Sequence, residues 1–384
     1  MSDVNPCISK DIWFEILKCL PVKTLGKCRC VCKSWHSLII SETFMPAHLK
    51  HYTQNGANSL LLHKDISKSK CTKTRDYEEC SIYLDSTQLI NGNILHTSVF
   101  PFALDICFWP SFTLVGSVHG LLCLSDSARV FVWNPLLQKC IKLPASMSTE
   151  NFPVLGFGFD DNKNDHRVVK ISYCHRNNES TTTPLLVEVY SVQERTWKNI
   201  SPDYLINNSI NNVSFSQCFL KGVVHWLTPH SKYILLFNVI KETFDKMKLP
   251  EDIVKMGTGD FGIFEHRQKL AVSYCDYLCL DLDFDIWFRC QIWIKQDYND
   301  GSSWCRILNV GYWHDCHHTG PVQFLGKNDE LIGFAKESNC QMMFYDLKTE
   351  KTKEIGLLIS QSTKFCAFSE SLVLLDQNID QRYI

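Results

Sequence analysis

The sequence predicts a mainly β protein in which a small N-terminal helical unit precedes a β-propeller-like domain of about six blades. Apolar residues follow a helical period from about residue 8 to residue 49, and short strand-like runs replace it from about residue 58 onward. Within the second region a strand-pair pattern recurs about every fifty residues, which is typical of a β-propeller. These shifts predict a helical domain at 1–50, a polar junction at 51–57 and the β domain at 58–384.

The bulk composition is that of an ordinary globular protein. The 384 residues are 45% hydrophobic and 21% charged, with a formal net charge of -2, so we expect no general attraction to nucleic acid or to anionic membranes. No apolar run approaches the roughly 18 residues that span a bilayer, and the N-terminus lacks a secretory pattern. We therefore expect a cytoplasmic or nuclear protein without a membrane partner, whose 19 cysteines are reduced.

The N-terminal unit carries more apolar surface than it can bury by itself. One broad helical face holds Ile12, Trp13, Ile16, Leu17 and Leu20, with Ser9 as the expected N-cap and Pro21 as the expected end of the helix. A second pattern continues through Leu25, Cys28 and Cys32, and through Val31, Trp35, Leu38 and Ile39. An apolar face is more often internal core than interface. Two or three helices of about 40 residues are nevertheless too small to cover such faces, so we expect a partner surface.

Five hairpin units in the β region repeat an aromatic residue in register. The units begin at VFVWNP (130–135), VEVYS (187–191), ILLFN (234–238), CQIWI (290–294) and MMFYD (342–346), and their aromatics are Trp133, Tyr190, Phe237, Trp293 and Tyr345. We expect these rings to form the cores of the blades. The C-terminal stretch KFCAFSESLVLLDQ begins a sixth unit, and SLLLHKD (59–65) is the strand predicted to complete it. Pairing the two chain ends in this way would close the ring and remove its exposed sheet edges.

Both regions resemble one plant family. In the helical unit, LPVKTL, CRCVCKSW and SLIISETF resemble the F-box as plants write it. Downstream, GLLCL, VFVWNP, VEVYS, GVVHWL and SESLVLL resemble the F-box-associated, kelch-like domain of S-locus F-box and F-box/kelch-repeat proteins. The resemblance implies a non-catalytic substrate receptor of an SCF ubiquitin ligase, without a cofactor. The F-box would bind a Skp-type adaptor, which holds a cullin, and the second domain would bind an unidentified substrate protein.

The resemblance also implies which residues contact the adaptor. Carried over by position, they are Ile8, Asp11, Ile12, Leu20, Pro21, Leu25, Val31, Cys32 and Trp35. The family usually has Leu-Pro where this chain has Ile8-Ser9, a departure expected to affect adaptor affinity rather than the fold. The S-locus branch further implies recognition of a stylar ribonuclease in pollen self-incompatibility, while the sequence itself does not identify the substrate.

Two motifs suggest ligand sites, and both have plainer interpretations. Residues 257–262 match G-x-G-x-x-G, but a strand-like stretch follows instead of the helix that a phosphate loop needs, so we predict a turn. His314, Cys316, His317 and His318 could ligate zinc if Cys275 and Cys279 completed the site. Neighbouring strand residues point to opposite faces, so we predict a solvated loop and no metal.

Two other classes of function stay open on the sequence. One is a propeller enzyme with acids or a metal at the ring axis, although the paired acids Asp160-Asp161 and Glu78-Glu79 are expected in solvated turns. The other is a binding module that uses its F-box without driving degradation. Whether or not the protein drives degradation of its target, we expect substrate contacts in the variable connections 144–153, 174–184, 201–214, 295–303 and 312–320.

Overall fold

A computed structural model describes most of the helical unit and the framework of the β domain. The described residues are 8–54, 59–66, 77–83, 96–99, 113–126, 129–147, 153–175, 182–208, 210, 213, 216–228, 233–256, 259–279, 286–313, 316–318, 330–336, 341–346, 349, 351–358 and 364–374. Side-chain packing is described chiefly for the helices and for four of the six sheets defined below.

The helical unit begins as predicted and its first helix ends earlier than predicted. Helix α1 (Lys10–Lys18) is capped by Ser9, whose hydroxyl oxygen accepts a hydrogen bond from the Ile12 N–H at 3.4 Å. The helix ends before Pro21, which directly precedes α2 (Val22–Cys28). Pro21 therefore begins the second helix rather than stopping the first, as its fixed φ allows at a helix start. Helix α3 (Lys33–Ile39) follows.

A fourth helix, α4 (Phe44–Gln54), carries the helical unit past the predicted boundary at residue 50. Its rings at Phe44, His48 and Tyr52 lie one turn apart, with centroids 6.1 and 4.7 Å from one another in sequence order. His48 is buried, and its Nε2 lies 2.9 Å from the Leu20 carbonyl oxygen, so α4 is attached to the turn between α1 and α2. The predicted helical period, which ran to about residue 49, covers the first half of α4 and misses its second half, where the inward Tyr52 is polar.

The described strands of the β domain form six four-stranded antiparallel sheets. Sheet I is ordered β24 (Lys364–Phe368), β1 (Ser59–Ile66), β2 (Tyr77–Tyr83) and β3 (His96–Val99). Sheet II contains β4 (Thr113–Val118), β5 (Leu121–Ser125), β6 (Val130–Asn134) and β7 (Lys139–Lys142). Sheet III contains β8 (Val154–Asp160), β9 (Asp165–His175), β10 (Thr182–Ser191) and β11 (Thr196–Ile200).

The remaining three sheets repeat the same meander. Sheet IV contains β12 (Gln217–Leu220), β13 (Val223–Thr228), β14 (Tyr233–Asn238) and β15 (Thr243–Lys248). Sheet V contains β16 (Asp260–His266), β17 (Lys269–Cys279), β18 (Ile286–Lys295) and β19 (Trp304–Trp313). Sheet VI contains β20 (Cys316–His318), β21 (Glu330–Lys336), β22 (Gln341–Asp346) and β23 (Lys351–Leu358). From sheet I through sheet V, the first strands of neighbouring sheets contact each other, as inner strands of a propeller do.

The two ends of the β domain meet in sheet I. Strand β24 pairs antiparallel with β1, from Ser59 opposite Phe368 to His63 opposite Lys364. This confirms the prediction that the strand after the helical unit completes the last sheet. The pairing covers one edge of β1 that would otherwise be free to bind another chain.

The five recurring aromatics occupy the third strands of sheets II to VI. Trp133, Tyr190, Phe237 and Trp293 are at most 3% exposed, which confirms four of the five predicted blade-core rings. The fifth, Tyr345, lies on β22, and its side chain is outside the described residues. Tyr190, Phe237 and Trp293 contribute to apolar layers between sheets II and III, III and IV, and IV and V, respectively. Trp133 belongs instead to the cluster that sheet II shares with the helical unit. Two short helices, α5 (Asp203–Asn207) and α6 (Glu251–Lys255), pack beside these layers through Leu205 and Ile253.

Buried histidines make the stability of this domain sensitive to acid. His225 on β13 is fully buried; its Nδ1 donates to the Cys218 carbonyl at 3.1 Å and its Nε2 accepts from the Tyr298 hydroxyl at 2.7 Å. Burial lowers the pKa of His225 to about 4, and burial together with His119 lowers the pKa of His166 to about 3. Both rings are therefore neutral in the folded chain at pH 7.

We expect the free energy of unfolding to fall as the pH drops below 6.5. In the unfolded chain both histidines take up a proton near pH 6.5, whereas in the folded chain His225 does so only near pH 4 and His166 only near pH 3. His225 alone should therefore lower the free energy of unfolding by about 2 kcal/mol between pH 7 and pH 5. Urea unfolding across this range checks it, with His225→Gln as the variant that lacks the titrating group. Equal losses in the wild-type chain and in the variant would contradict the assignment.

Candidate docking face of the helical unit

Helix α1 divides its apolar residues between two sides. Leu17 is fully buried, and Trp13 and Phe14 are half-buried, whereas Ile12 and Ile16 are 53% and 44% exposed. The single broad face predicted from the periodicity is therefore split, because one part packs inward and the other remains in contact with solvent.

The inward side of the helical unit packs on the ring. Leu17, Val22, Leu25, Ile39 and Phe44 share one apolar cluster with sheet II and the C-terminal stretch. The ring's buried members of this cluster are Leu122, Leu124, Phe131, Trp133, Leu136, Cys140, Phe368 and Leu372. The unit thus covers part of its apolar surface with the β domain of its own chain.

The outward side remains apolar and open. Its most exposed large apolar side chains are Ile8 at 42%, Ile12 at 53%, Ile16 at 44% and Val31 at 66%. The Trp13 and Trp35 rings are 4.8 Å apart edge to face, which joins α1 to α3 between these residues. We call Ile8, Ile12, Ile16, Val31 and Trp35 the docking face; of these, Trp35 is half-buried and also packs against the inward cluster. The prediction that the unit keeps an apolar face beyond its own core is confirmed.

The nine predicted adaptor contacts do not all lie on this side. Ile8, Asp11, Ile12, Pro21, Val31 and Cys32 are exposed, Leu20 and Trp35 are half-buried, and Leu25 is fully buried. Leu25 lies within the cluster shared with sheet II, so its assignment to a partner surface does not fit the folded chain. Ile16 was not among the nine contacts, although its position one turn after Ile12 is a signal that could have placed it there.

The glycine motif has no phosphate-binding geometry in the described part of the chain. Asp260, Phe261 and Gly262 are the first three residues of strand β16, so the second half of the motif is a strand and not the predicted turn. The element that follows β16 is a second strand, β17, instead of a helix whose N–H groups could bind phosphate.

The histidine and cysteine cluster differs from its prediction. Cys316, His317 and His318 form strand β20 and not a loop. Cys275 is buried with its Sγ 3.5 Å from the Cys290 Sγ across β17 and β18, and the side chains of His314 and Cys279 lie outside the described residues. Among the residues that the structure describes, no group of three or more potential metal ligands is assembled.

Three of the four paired acids are placed differently from the prediction, whereas Asp161 lies exposed in the turn after β8, as predicted. Glu78 and Glu79 lie in strand β2 and not in a turn. Asp160, at the end of β8, is 3% exposed; its Oδ2 lies 3.8 Å from an Arg167 terminal nitrogen, while the Arg167 Nε lies 3.1 Å from Asp165. The buried acids belong to an ion-paired network within sheet III, a structural arrangement.

The structure thus combines a small helical unit, with exposed apolar side chains, and a propeller of four-stranded sheets on which it packs. Comparison with family models identifies the same two parts: residues 6–45 match the F-box domain, and residues 72–375 match the F-box associated beta propeller domain. The chain belongs to the F-box proteins that carry an F-box associated β-propeller domain.

Curated relatives from Arabidopsis thaliana agree over nearly the whole length. The chain is 24% identical to the putative F-box protein At5g52610, over 96% of this chain and 100% of that one. It is 25% identical to F-box protein CPR1, over 91% of this chain and 84% of that one, and 24% identical to F-box/kelch-repeat protein At3g23880, over 77% of each. The resemblance noted in the sequence is thereby confirmed.

The described helices are all short. The longest, α4, has 11 residues, and within the described ranges no helix has the length and apolarity to cross a membrane.

Proposed function

We propose that this protein is the substrate receptor of an SCF ubiquitin ligase, with its F-box bound to a Skp-type adaptor and, through it, to a cullin. The open docking face carries the proposal, because the ring covers one side of the helical unit and leaves the other apolar and exposed. The proposed adaptor contacts are Ile8, Asp11, Ile12, Ile16, Pro21, Val31, Cys32 and Trp35. Leu20 and Leu25 support these residues from within.

The docking face is suited to a stable protein contact. Burying each exposed isoleucine or valine contributes about 1.5–3 kcal/mol, and the edge-to-face tryptophans give the face a rigid centre. An isolated apolar patch of this kind is unfavourable in water, which is consistent with an element that functions in a complex.

We propose that the substrate binds at the end of the ring opposite the helical unit. Strand direction alternates in a four-stranded meander. The connections from the second to the third strand and from one sheet to the next therefore emerge at one end of the ring. The turns from the first to the second strand and from the third to the fourth emerge at the opposite end. Connections 144–153, 174–184, 201–214 and 312–320 belong to the first end. The helical unit packs at the second end, against Leu136 after β6 and Leu372 after β24. Connection 295–303 shares that second end, so we assign it no substrate contact.

We also propose that the ring has six blades, since six four-stranded sheets and the closure of β24 on β1 support that count.

The first strands of the sheets offer little support for the alternative that the protein is an enzyme. Their described acids are Asp160, paired with Arg167, and Asp260 and Glu265 on the single strand β16. Pollen self-incompatibility stays a prediction, because relatives 24–25% identical do not specify a substrate.

Complex formation tests the receptor proposal. The intact chain, mixed with a purified plant Skp-type adaptor, should elute as a 1:1 complex whose mass is measured by light scattering. A folded chain that elutes alone at micromolar concentrations would overturn the proposal. Substrate lifetime in cells, compared between the wild type and a docking-face variant, then separates a degradative receptor from a binding module. Docking-face substitutions suit this better than changes at Leu20, which packs against the internal cluster.

A further inference from the structure

The first N–H group of the second F-box helix donates a hydrogen bond to a residue near the C-terminus of the chain. Pro21 precedes α2 and supplies no side-chain cap. Instead the Val22 N–H donates to the Glu370 Oε2 at 2.9 Å, across 348 residues of sequence. Val22 is fully buried and Glu370 is half-buried, so this bond lies within the contact between the helical unit and the ring.

The ring holds Glu370 in place on both sides. Gly120, at a φ of +77°, lies so close to the C-terminal stretch that a Cβ there would be 2.4 Å from the Ser369 carbonyl oxygen and 2.3 Å from the Ser371 Cβ. Asn134, fully buried, donates from its Nδ2 to the carbonyl oxygens of Ser371 at 2.9 Å and Val373 at 3.0 Å. These contacts fix the backbone around Glu370 relative to sheet II, so its carboxylate reaches the F-box from a defined position.

The contact between the helical unit and the ring is incomplete on one side, so the hydrogen bond between Val22 and Glu370 can affect how the unit is oriented. A cavity of about 300 Å³ separates α4 from sheet III, between Met45 and Leu49 on the helix and His166 and Gln193 on the ring. Apolar packing on sheet II is not directional, and the cavity leaves room for the helical unit to tilt. A directional hydrogen bond to the start of α2 restricts that tilt.

We propose that Glu370 is a positioning residue that sets the orientation of the F-box on the propeller. The inference rests on the proposed function for its consequence: a fixed orientation holds a substrate on the ring at a constant distance and angle from the adaptor and its ligase. The sequence pieces LPVKTL, GLLCL, VFVWNP and SESLVLL each contribute one residue to this junction, respectively Val22, Gly120, Asn134 and Glu370.

The test measures orientation directly in the full chain. Spin labels are introduced by genetic encoding at Ser37 on α3 and Lys255 on α6, both exposed, since 19 cysteines preclude thiol labelling. We expect a single narrow distance distribution in the wild type and one about twofold broader in Glu370→Ala. Glu370→Gln keeps an acceptor oxygen and should restore the narrow distribution. Glu194→Ala, on an exposed turn, is the matched control.

Two further measurements keep the outcomes distinct. Adaptor affinity should stay within about twofold of wild type in Glu370→Ala, because Glu370 bonds to the buried Val22 and is not itself one of the proposed adaptor contacts. If the alanine variant does not fold, Glu370→Asp, one methylene shorter, replaces it and should broaden the distribution in the same way. An unchanged distribution in a folded variant would overturn the positioning role. A wild-type chain that binds no adaptor would instead overturn the proposed function while leaving the distance result intact.

Discussion

The double substitution Ile12→Asp and Val31→Asp is expected to weaken binding of a Skp-type adaptor at least about 100-fold, without changing the stability of the free chain. The two side chains are 53% and 66% exposed, so in the free protein the new carboxylates stay hydrated. In the complex each substitution removes about 1.5–3 kcal/mol of apolar burial and adds the cost of dehydrating a charge. Calorimetric titration of the purified adaptor into the variant measures the loss.

The same change elsewhere on the surface serves as the control. Ile240→Asp alters an isoleucine that is 39% exposed on the turn after β14 of sheet IV, outside the cluster that joins the helical unit to sheet II. Adaptor affinity should be unaffected there, and urea unfolding should give the same midpoint for all three proteins. Wild-type affinity in the Ile12/Val31 variant would exclude the docking face as the adaptor site.

Trp226→Ala is expected to lower the free energy of unfolding by about 4 kcal/mol. The Trp226 ring is fully buried between sheets III and IV, and its Nε1 donates to the Leu155 carbonyl at 2.8 Å. The ring also packs directly on Gly156, where a Cβ would lie 2.2 Å from a ring carbon, so the Trp226 side chain fills the space between the two sheets. Truncation leaves a cavity and an unpaired buried carbonyl. Urea unfolding at pH 7 measures the change.

A second tryptophan offers the matched comparison. The Trp197 Nε1 also donates a hydrogen bond, to the Pro144 carbonyl oxygen at 2.9 Å in the connection after sheet II. Trp197 lies on the outer strand β11, however, and is only half-buried. Trp197→Ala should therefore cost about 1–2 kcal/mol, well below the cost at Trp226. Equal losses at the two positions would show that the layer between sheets III and IV does not dominate the stability of the ring.

The amino-acid sequence by itself determined the features that depend on local pattern. Ser9 caps α1 because a hydroxyl at that position satisfies a free N–H, whatever the tertiary structure. Four of the five recurring aromatics, those whose side chains the structure describes, lie in blade cores because each belongs to a repeated hairpin whose alternation places the ring inside. Closure of β24 on β1 followed from an incomplete last unit and an unpaired first strand. In the helical unit, the same patterning predicted the existence of an open apolar face.

Only the tertiary structure decided which residues lie on that face. Periodicity groups Leu17 with Ile16, yet the ring covers the first and leaves the second exposed. Leu25 is internal because sheet II packs against it, and Asp160 is buried because Arg167 arrives from the next strand. The bond from Val22 to Glu370 joins the two ends of the chain. The physical reason is common to all four. Burial and pairing depend on which surfaces meet in space, and residues far apart in sequence carry no local pattern that records their meeting.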